Sequence, residues 1–288
     1  MITNKVCENL QKNRFDRICI SLDGSCKEKH NPIRGLGSFE KTISGIKRLK
    51  KYNLPVSTLF TITKNNIDDL FETISLNESL GIEYMTIMVV CPTGRGAEND
   101  VLLPKEKWYP TLLKLSEMKK ENKFKLKLKI VPPNESEVFW CHYFPLKYYN
   151  RLDLLSVWNQ KMPTEDNQRK VSCQAGVKSA SIAADGNVYG CDLMMNIPDF
   201  CAGNIKEQSF NEIWYESKIF TKLRNLNIDD LDDKCSSCVH KWCGGGCRSA
   251  AYNLTGSITG ADMSCYKLSE ENFNDQKIEY YNLQKENV

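Results

Sequence analysis

No apolar run in the 288 residues approaches the length of a membrane span, which excludes a bilayer-crossing helix from the reading. The opening stretch, MITNKVCENLQKNRFD, lacks the apolar core of a signal peptide, so a cytoplasmic protein is expected. Charge of one sign is also lacking. Lys and Arg number 39 against 36 Asp and Glu, too even a balance for a nucleic-acid or membrane surface. No internal repeat is present. Histidine is scarce, with only His30, His142 and His240 in the chain. Apolar residues at 41% and charged residues at 26% argue against general disorder, and the length allows one large domain or two smaller ones.

Cysteine is what the chain has in excess, with 13 in 288 residues. A disulfide scaffold fits poorly, because the chain is long, the count is odd and no export signal is seen. Metal ligation fits better. Residues 1–172 hold five of the cysteines, and the segment from Cys173 to Cys265 holds eight.

The first part alternates strand and helix signals. Residues 17–22 (RICISL) read as a strand ended by the turn pair Asp23-Gly24. Residues 39–51 carry apolar side chains at helical spacing, and 54–62 is rich in β-formers. Asn65 or Asn66 is placed to cap a helix over 67–80, with Gly81 ending it. Residues 83–90 read as a strand buried on both faces, and Pro104 opens a further helix. Such alternation predicts an α/β fold built on a parallel sheet. In 123–130 (KFKLKLKI), lysine and apolar residues alternate strictly, which suits a sheet edge. Residues 131–172 read as an aromatic-rich connection. Beyond it come short strands at 179–183 and 187–190 and one helix over 210–226, opened by the capping pair Ser209 and Glu212.

The strongest local pattern is Cys235-x2-Cys238-x4-Cys243-x3-Cys247, with Gly244, Gly245 and Gly246 between the last two thiols. The glycines let the backbone curl beside a bulky group, and amides of such loops are free to donate to sulfur. Cys173, Cys191, Cys201 and Cys265 are further candidate ligands. Spacing alone leaves zinc and iron–sulfur centres open, since both favour tetrahedral sulfur. His240 lies inside the run, but with so many thiols around it reads as a loop residue.

This stretch resembles the SPASM or twitch-type auxiliary-cluster domain of radical S-adenosylmethionine (SAM) enzymes that modify peptides and proteins, among them the anaerobic sulfatase-maturating type. Cys173, twelve residues, Gly186, four residues and Cys191 match the family's first half. Cys235, Cys238, Cys243, Cys247 and Cys265 match the second, with one residue fewer between Cys238 and Cys243 than the family has. The resemblance implies two [4Fe–4S] clusters. One uses Cys235, Cys238, Cys243 and Cys265; the other uses Cys173, Cys191 and Cys247, with Cys201, Cys141 or a substrate thiol as its fourth ligand. It also implies that Asp192 accepts a substrate proton, against the plainer reading of a turn aspartate.

The first part resembles the middle of a radical SAM partial (β/α)6 barrel, with ITN ending the third strand and ISLDG the fourth. The implied fold is an incomplete parallel (β/α)6-type barrel over 1–131, a connection over 132–172, a small cysteine-rich SPASM-like α+β domain over 173–268 and a tail over 269–288. Ser21 matches a serine that meets the amino-acid part of SAM, with Asp23 and Gly24 shaping the next loop. Cys19 is expected to be a buried apolar group, and Arg34 a solvated loop residue, with pairing to a carboxylate as its other reading. The C-x3-C-x2-C run that holds the SAM-cleaving cluster is not found. The expectation is therefore an auxiliary-cluster and substrate-binding portion of a peptide- or protein-modifying oxidoreductase, unable to cleave SAM alone and open as to enzyme status. SAM would join the cofactors only with the missing part present. The alternatives are a metal-stabilised peptide-binding protein, with residues 138–158 as an aromatic surface against the plainer reading that these side chains pack over the clusters, or one part of a split enzyme completed by another chain.

Overall fold

The computed structural model describes residues 2–91, 101–131, 139–160, 171–195, 197–240, 243–262 and 265. The chain divides into two compact units. The first comprises 1–91, 99–133 and 141–161, and the second consists mainly of 162–288.

The first unit is α/β. Helix α1 (Asn4–Lys12) is capped by Thr3, whose hydroxyl accepts the Val6 amide N–H at 3.3 Å. Then follow β1 (Ile18–Ser21), α2 (Lys27–Arg34), α3 (Ser38–Lys51), β2 (Val56–Ile62), α4 (Leu70–Ser79), β3 (Tyr84–Val89), α5 (Lys105–Lys120) and β4 (Lys127–Val131). The strands form one parallel sheet in the order β1-β2-β3-β4, with Ile20 opposite Thr58, Phe60 opposite Ile87 and Ile87 opposite Ile130. This is the partial-barrel sheet that the alternation predicts. Phe60, Ile62, Met85 and Ile87 from the sheet and Leu70, Trp108 and Leu112 from the helices are fully buried. Each such side chain contributes about 1.5–3 kcal/mol by leaving water.

Several expectations change at this level. ITN is not a strand end, because Thr3 opens α1, which buries Cys7 with Ile46 and Leu49 of α3. Cys19 is exposed rather than buried. Strand alternation turns Ile18 and Ile20 toward Leu49 and leaves Cys19 on the other face of an edge strand. β3 is not buried on both faces: Met85, Ile87 and Val89 are buried, while Thr86 and Met88 are half-buried. β4 is the lysine-lined edge its sequence suggests, with Leu128 and Ile130 inward and Lys127 and Lys129 outward. Asn66 does not cap the next helix. Its side chain instead accepts the Thr63 amide at 2.7 Å and donates to the carbonyls of Thr61 and Asp23, so a 3-10 turn (Ile67–Asp69) precedes α4.

The connection is largely helical where it is described. A π-type turn (Phe139–Tyr143) from Cys141 onward, α6 (Phe144–Tyr148) and a 3-10 segment (Leu152–Trp158) belong to the first unit. Trp108 Nε1 on α5 donates to the Cys141 carbonyl at 3.1 Å, and Trp158 Nε1 donates to Ser116 Oγ at 2.8 Å. The described aromatics from Tyr143 to Trp158 therefore mostly cover α5 and do not form a free peptide surface. The side chains of Val138, Phe139 and Trp140 and residues 161–170 lie outside the described residues.

The second unit is a small α+β body. Strands β5 (Ser181–Ile182), β6 (Asn187–Tyr189) and β7 (Gly203–Asn204) form an antiparallel sheet in that order. The helix expected over 210–226 is two helices, α7 (Phe210–Glu216) and α8 (Lys218–Asn225). Ser217 between them is extended and caps α8, its Oγ accepting the Phe220 amide at 3.5 Å. The capping box of Ser209 and Glu212 opens α7. Ile213, Phe220 and Leu223 pack against Val188, Met194 and Phe200. Short α9 (Asp233–Ser236) and α10 (Arg248–Thr255) carry cysteines at their edges. The tail beyond 268 lies outside the described residues.

Candidate metal centres and cofactor site

The second unit sorts its thiols into two groups. Cys173, Cys191 and Cys247 lie within electrostatic reach of one another. So do Cys235, Cys238, Cys243 and Cys265, linked through Cys243. Burial, first, pushes the Cys191 thiol up to about 12, and the neighbouring Cys173 and Cys247 push it the same way. Burial likewise raises Cys235 to about 12 and Cys243 to about 11, and it raises Cys173. Such thiols keep their protons in water-poor surroundings, and a metal centre that binds them must displace those protons.

Main-chain amides point at these sulfurs. His240 N–H donates to Cys238 Sγ at 3.4 Å, and Ala250 N–H donates to Cys247 Sγ at 3.5 Å. The amides of Ala175 and Arg248 serve Cys173, those of Leu193 and Met194 serve Cys191, and that of Gly245 serves Cys243. Donors of this kind hold thiolates and lower the charge on their sulfurs. The loop that supplies them needs its glycines. Gly244, Gly245 and Gly246 all have positive φ, and a Cβ on Gly245 would meet Leu231 at 2.3 Å. Asp232 ties the first thiols of the run to the segment before Cys265, accepting the amides of Cys235 at 3.3 Å and Ala261 at 2.9 Å. Gly186 turns the β5–β6 hairpin, where a Cβ would lie 2.6 Å from Asn204 Oδ1.

Among the described residues no three Cys, His, Asp or Glu side chains converge closely enough to hold a single metal ion. A zinc ion with sulfur at about 2.3 Å would need its four thiolates within roughly 3.8 Å of each other. A four-iron cluster holds its ligands at the corners of a larger body. The thiols within each group sense one another and are met by main-chain amide donors, a donor set that fits a [4Fe–4S] cluster.

Of the other predicted residues, Asp192 is exposed at the start of a 3-10 turn (Asp192–Met194), directly after Cys191. Cys201 donates its thiol to the Gly203 carbonyl at 3.7 Å and packs on the same apolar cluster as Cys173 and Cys191. Cys141 is buried in the first unit instead.

In that first unit, Ser21 is half-buried at the carboxy-terminal end of β1. Asp23 is fully buried. Its carboxylate accepts the Thr61 amide at 2.6 Å and pairs with Arg34, which is thus an ion-pair partner and not a solvated loop residue. Gly24 is needed where the loop meets α2, since a Cβ would lie 2.7 Å from the His30 nitrogen. Sequence reasoning missed the groups that complete this cluster. His30 Nδ1 accepts the Asp23 amide at 3.1 Å, and Asp69 accepts Ser25 Oγ at 2.5 Å and the Ser25 amide at 2.6 Å. The polar residues at two strand ends were the available signal. Carboxy-terminal strand ends are where parallel sheets offer ligand sites.

The profile of the radical SAM superfamily matches residues 1–76, and that of SPASM, an iron–sulfur cluster-binding domain, matches 173–239. An AdoMet-dependent heme synthase of Methanosarcina barkeri (strain Fusaro / DSM 804) is 31% identical over 92% of this chain and 71% of its own length. The chain belongs to the radical SAM superfamily, with a SPASM domain. The mycofactocin maturase MftC of Mycolicibacterium smegmatis is 27% identical over 92% of this chain and 60% of its own. The solved structure of anSMEcpe with bound AdoMet shares the fold, with a TM-score of 0.63 at 19% identity, over 100% of this chain and 72% of that one.

These findings overturn three expectations. The chain is not set apart from the catalytic members of its superfamily, because the radical SAM profile covers its first 76 residues and relatives named synthase and maturase align along 92% of it. The reading as an auxiliary portion, with a stand-alone binding protein as its alternative, falls for the same reason, and nothing supports a split enzyme. The open enzyme status is corrected likewise: the aligned relatives are enzymes by name. The C-x3-C-x2-C spacing does not occur in these 288 residues, and nothing about catalysis follows from that.

Proposed function

We propose that this protein acts as a SAM-dependent radical oxidoreductase of the cytoplasm, with its SPASM domain carrying two [4Fe–4S] clusters. The single observation behind the cluster assignment is the pairing of two separate thiol groups with main-chain amide donors. Cys235, Cys238, Cys243 and Cys265 would hold one cluster, and Cys173, Cys191 and Cys247 the other. Bound clusters supply one-electron transfer. The chain's own residues bury the thiols, fix them with amides and exclude water. Ser21 would meet the amino-acid part of SAM, on the loop that Asp23 and Gly24 hold in shape. Asp192, exposed beside Cys191, would take a substrate proton.

For the substrate, the relative at 31% identity favours a tetrapyrrole, since that protein is a heme synthase. A peptide is the second reading, favoured by the maturase that aligns over the same share of this chain. The test is anaerobic purification followed by iron and sulfide assays, then incubation with SAM, a reductant and either a tetrapyrrole carboxylate or a peptide. About eight irons and eight sulfides per SPASM domain are expected from two four-iron clusters, with 5′-deoxyadenosine formation raised by the true substrate. One or two zincs without sulfide would sink the cluster assignment. Stimulation by peptide alone would replace the tetrapyrrole reading.

A further inference from the structure

Arg248 is a fully buried cation, with none of its surface exposed. Its guanidinium donates to the carbonyls of Ile258 at 2.9 Å and Gly260 at 2.7 Å, and to those of Gly245 and Gly246. All four acceptors are neutral, and among the described residues no carboxylate accepts a hydrogen bond from it. Asp262, the buried acid of the same segment, accepts the Cys247 amide. A buried charge held only by carbonyl dipoles is costly unless an opposite charge lies close. Asp262 and Asp232 lie in the same loops and accept the amides of Cys247, Cys235 and Ala261, and the thiols are the further candidates for that opposite charge. Arg248 follows Cys247 in sequence, and its guanidinium binds the Gly245 and Gly246 carbonyls of the loop between Cys243 and Cys247 and the Gly260 carbonyl of the segment leading to Cys265; its charge is also felt at Cys173 and Cys235, one from each thiol group. It therefore stands within electrostatic reach of both groups while forming part of neither.

We propose that Arg248 is the shared counter-charge of the two cysteine groups and raises the reduction potentials of the clusters they hold. This rests on the cluster reading above. Reducing a thiolate-ligated cluster by one electron adds one negative charge to an already anionic body. A fixed cation stabilises the reduced form more than the oxidised form, and four carbonyls hold this cation in place. Replacing it with a neutral side chain makes the added electron harder to accept.

The experiment is a redox titration of the anaerobically purified full chain, with dithionite as reductant, read by electron paramagnetic resonance. It compares the wild type with Arg248→Gln and Arg248→Lys. In Arg248→Gln both cluster signals should need a lower potential, with the reduced-to-oxidised ratio at a fixed potential falling at least tenfold, about 59 mV for a one-electron couple. Arg248→Lys keeps the charge and should titrate near the wild type. Unmoved potentials in Arg248→Gln, or a shift of one cluster only, overturn the proposal. If Arg248→Gln retains no clusters, the lysine variant decides. Retained clusters at wild-type potentials support the charge role, and their loss assigns Arg248 to loop structure alone. Wild-type protein without iron and sulfide would sink the cluster reading itself, a result distinct from all of these.

Discussion

The two units treat buried charge in opposite ways. In the first, Asp23 is buried but fully answered, by Arg34, by the Thr61 amide and by a loop that Asn66 and His30 pin in place. In the second, Arg248 is buried among carbonyls, with no acid bonded to it among the described residues, in the unit where burial raises the thiols of Cys173, Cys191, Cys235 and Cys243. The first set closes on itself. The second does not close on itself in this way, and under the proposal above an anionic cluster answers its charge.

The comparison can be broken at its widest point by removing iron. The second unit should lose protease resistance and its share of the circular dichroism, and the first should keep its parallel sheet. Cys173→Ala should lower bound iron from about eight to about four per SPASM domain, sparing the other four-iron cluster. Equal loss of both units would show that they do not differ in this way. Next in size is Asp23→Ala, which strands Arg34 and the Thr61 amide and should cost about 3 kcal/mol in urea unfolding of the first unit, with iron content unchanged. Gly24→Ala should cost about 2 kcal/mol by overpacking against α2, again sparing the clusters.

A smaller effect concerns pH. Burial, ahead of the opposing pull of Asp23, holds His30 below the usual imidazole range. The unfolded chain therefore binds the proton more readily than the folded one. Stability should be complete above about pH 6.5 and fall as pH drops below it, by up to about 1.4 kcal/mol per pH unit. His30→Gln should flatten that slope in urea titrations between pH 7.5 and 5.5. The smallest effect is expected from Ser209→Ala, which removes one half of a capping box and should cost about 1 kcal/mol of the second unit's stability.

Legibility followed the same division. The strands of the first unit were visible because apolar spacing reports burial directly; the first three lie within two residues of their expected places, and β4 begins only at Lys127 in the segment expected from 123. The break at Ser217 was not visible, because Ile213 before it and Phe220 and Leu223 after it keep helical spacing. Cys19 looked buried in an apolar run, and only the position of β1 at the sheet edge reversed that. Arg34 and Asp23 are eleven residues apart, and nothing local announces that a loop will bring them together.

By itself the sequence determined the alternating α/β half, the lysine-lined edge, the cysteine run and its glycine turns, and with them the family. These are properties of spacing along one chain, where the period of a helix or strand and the freedom of glycine act locally. Only the tertiary structure decided which thiols sense one another, which amides meet them, and where Arg248 and Asp23 find their partners. Those depend on charges and dipoles acting through space between residues far apart in the chain, and local spacing does not encode them.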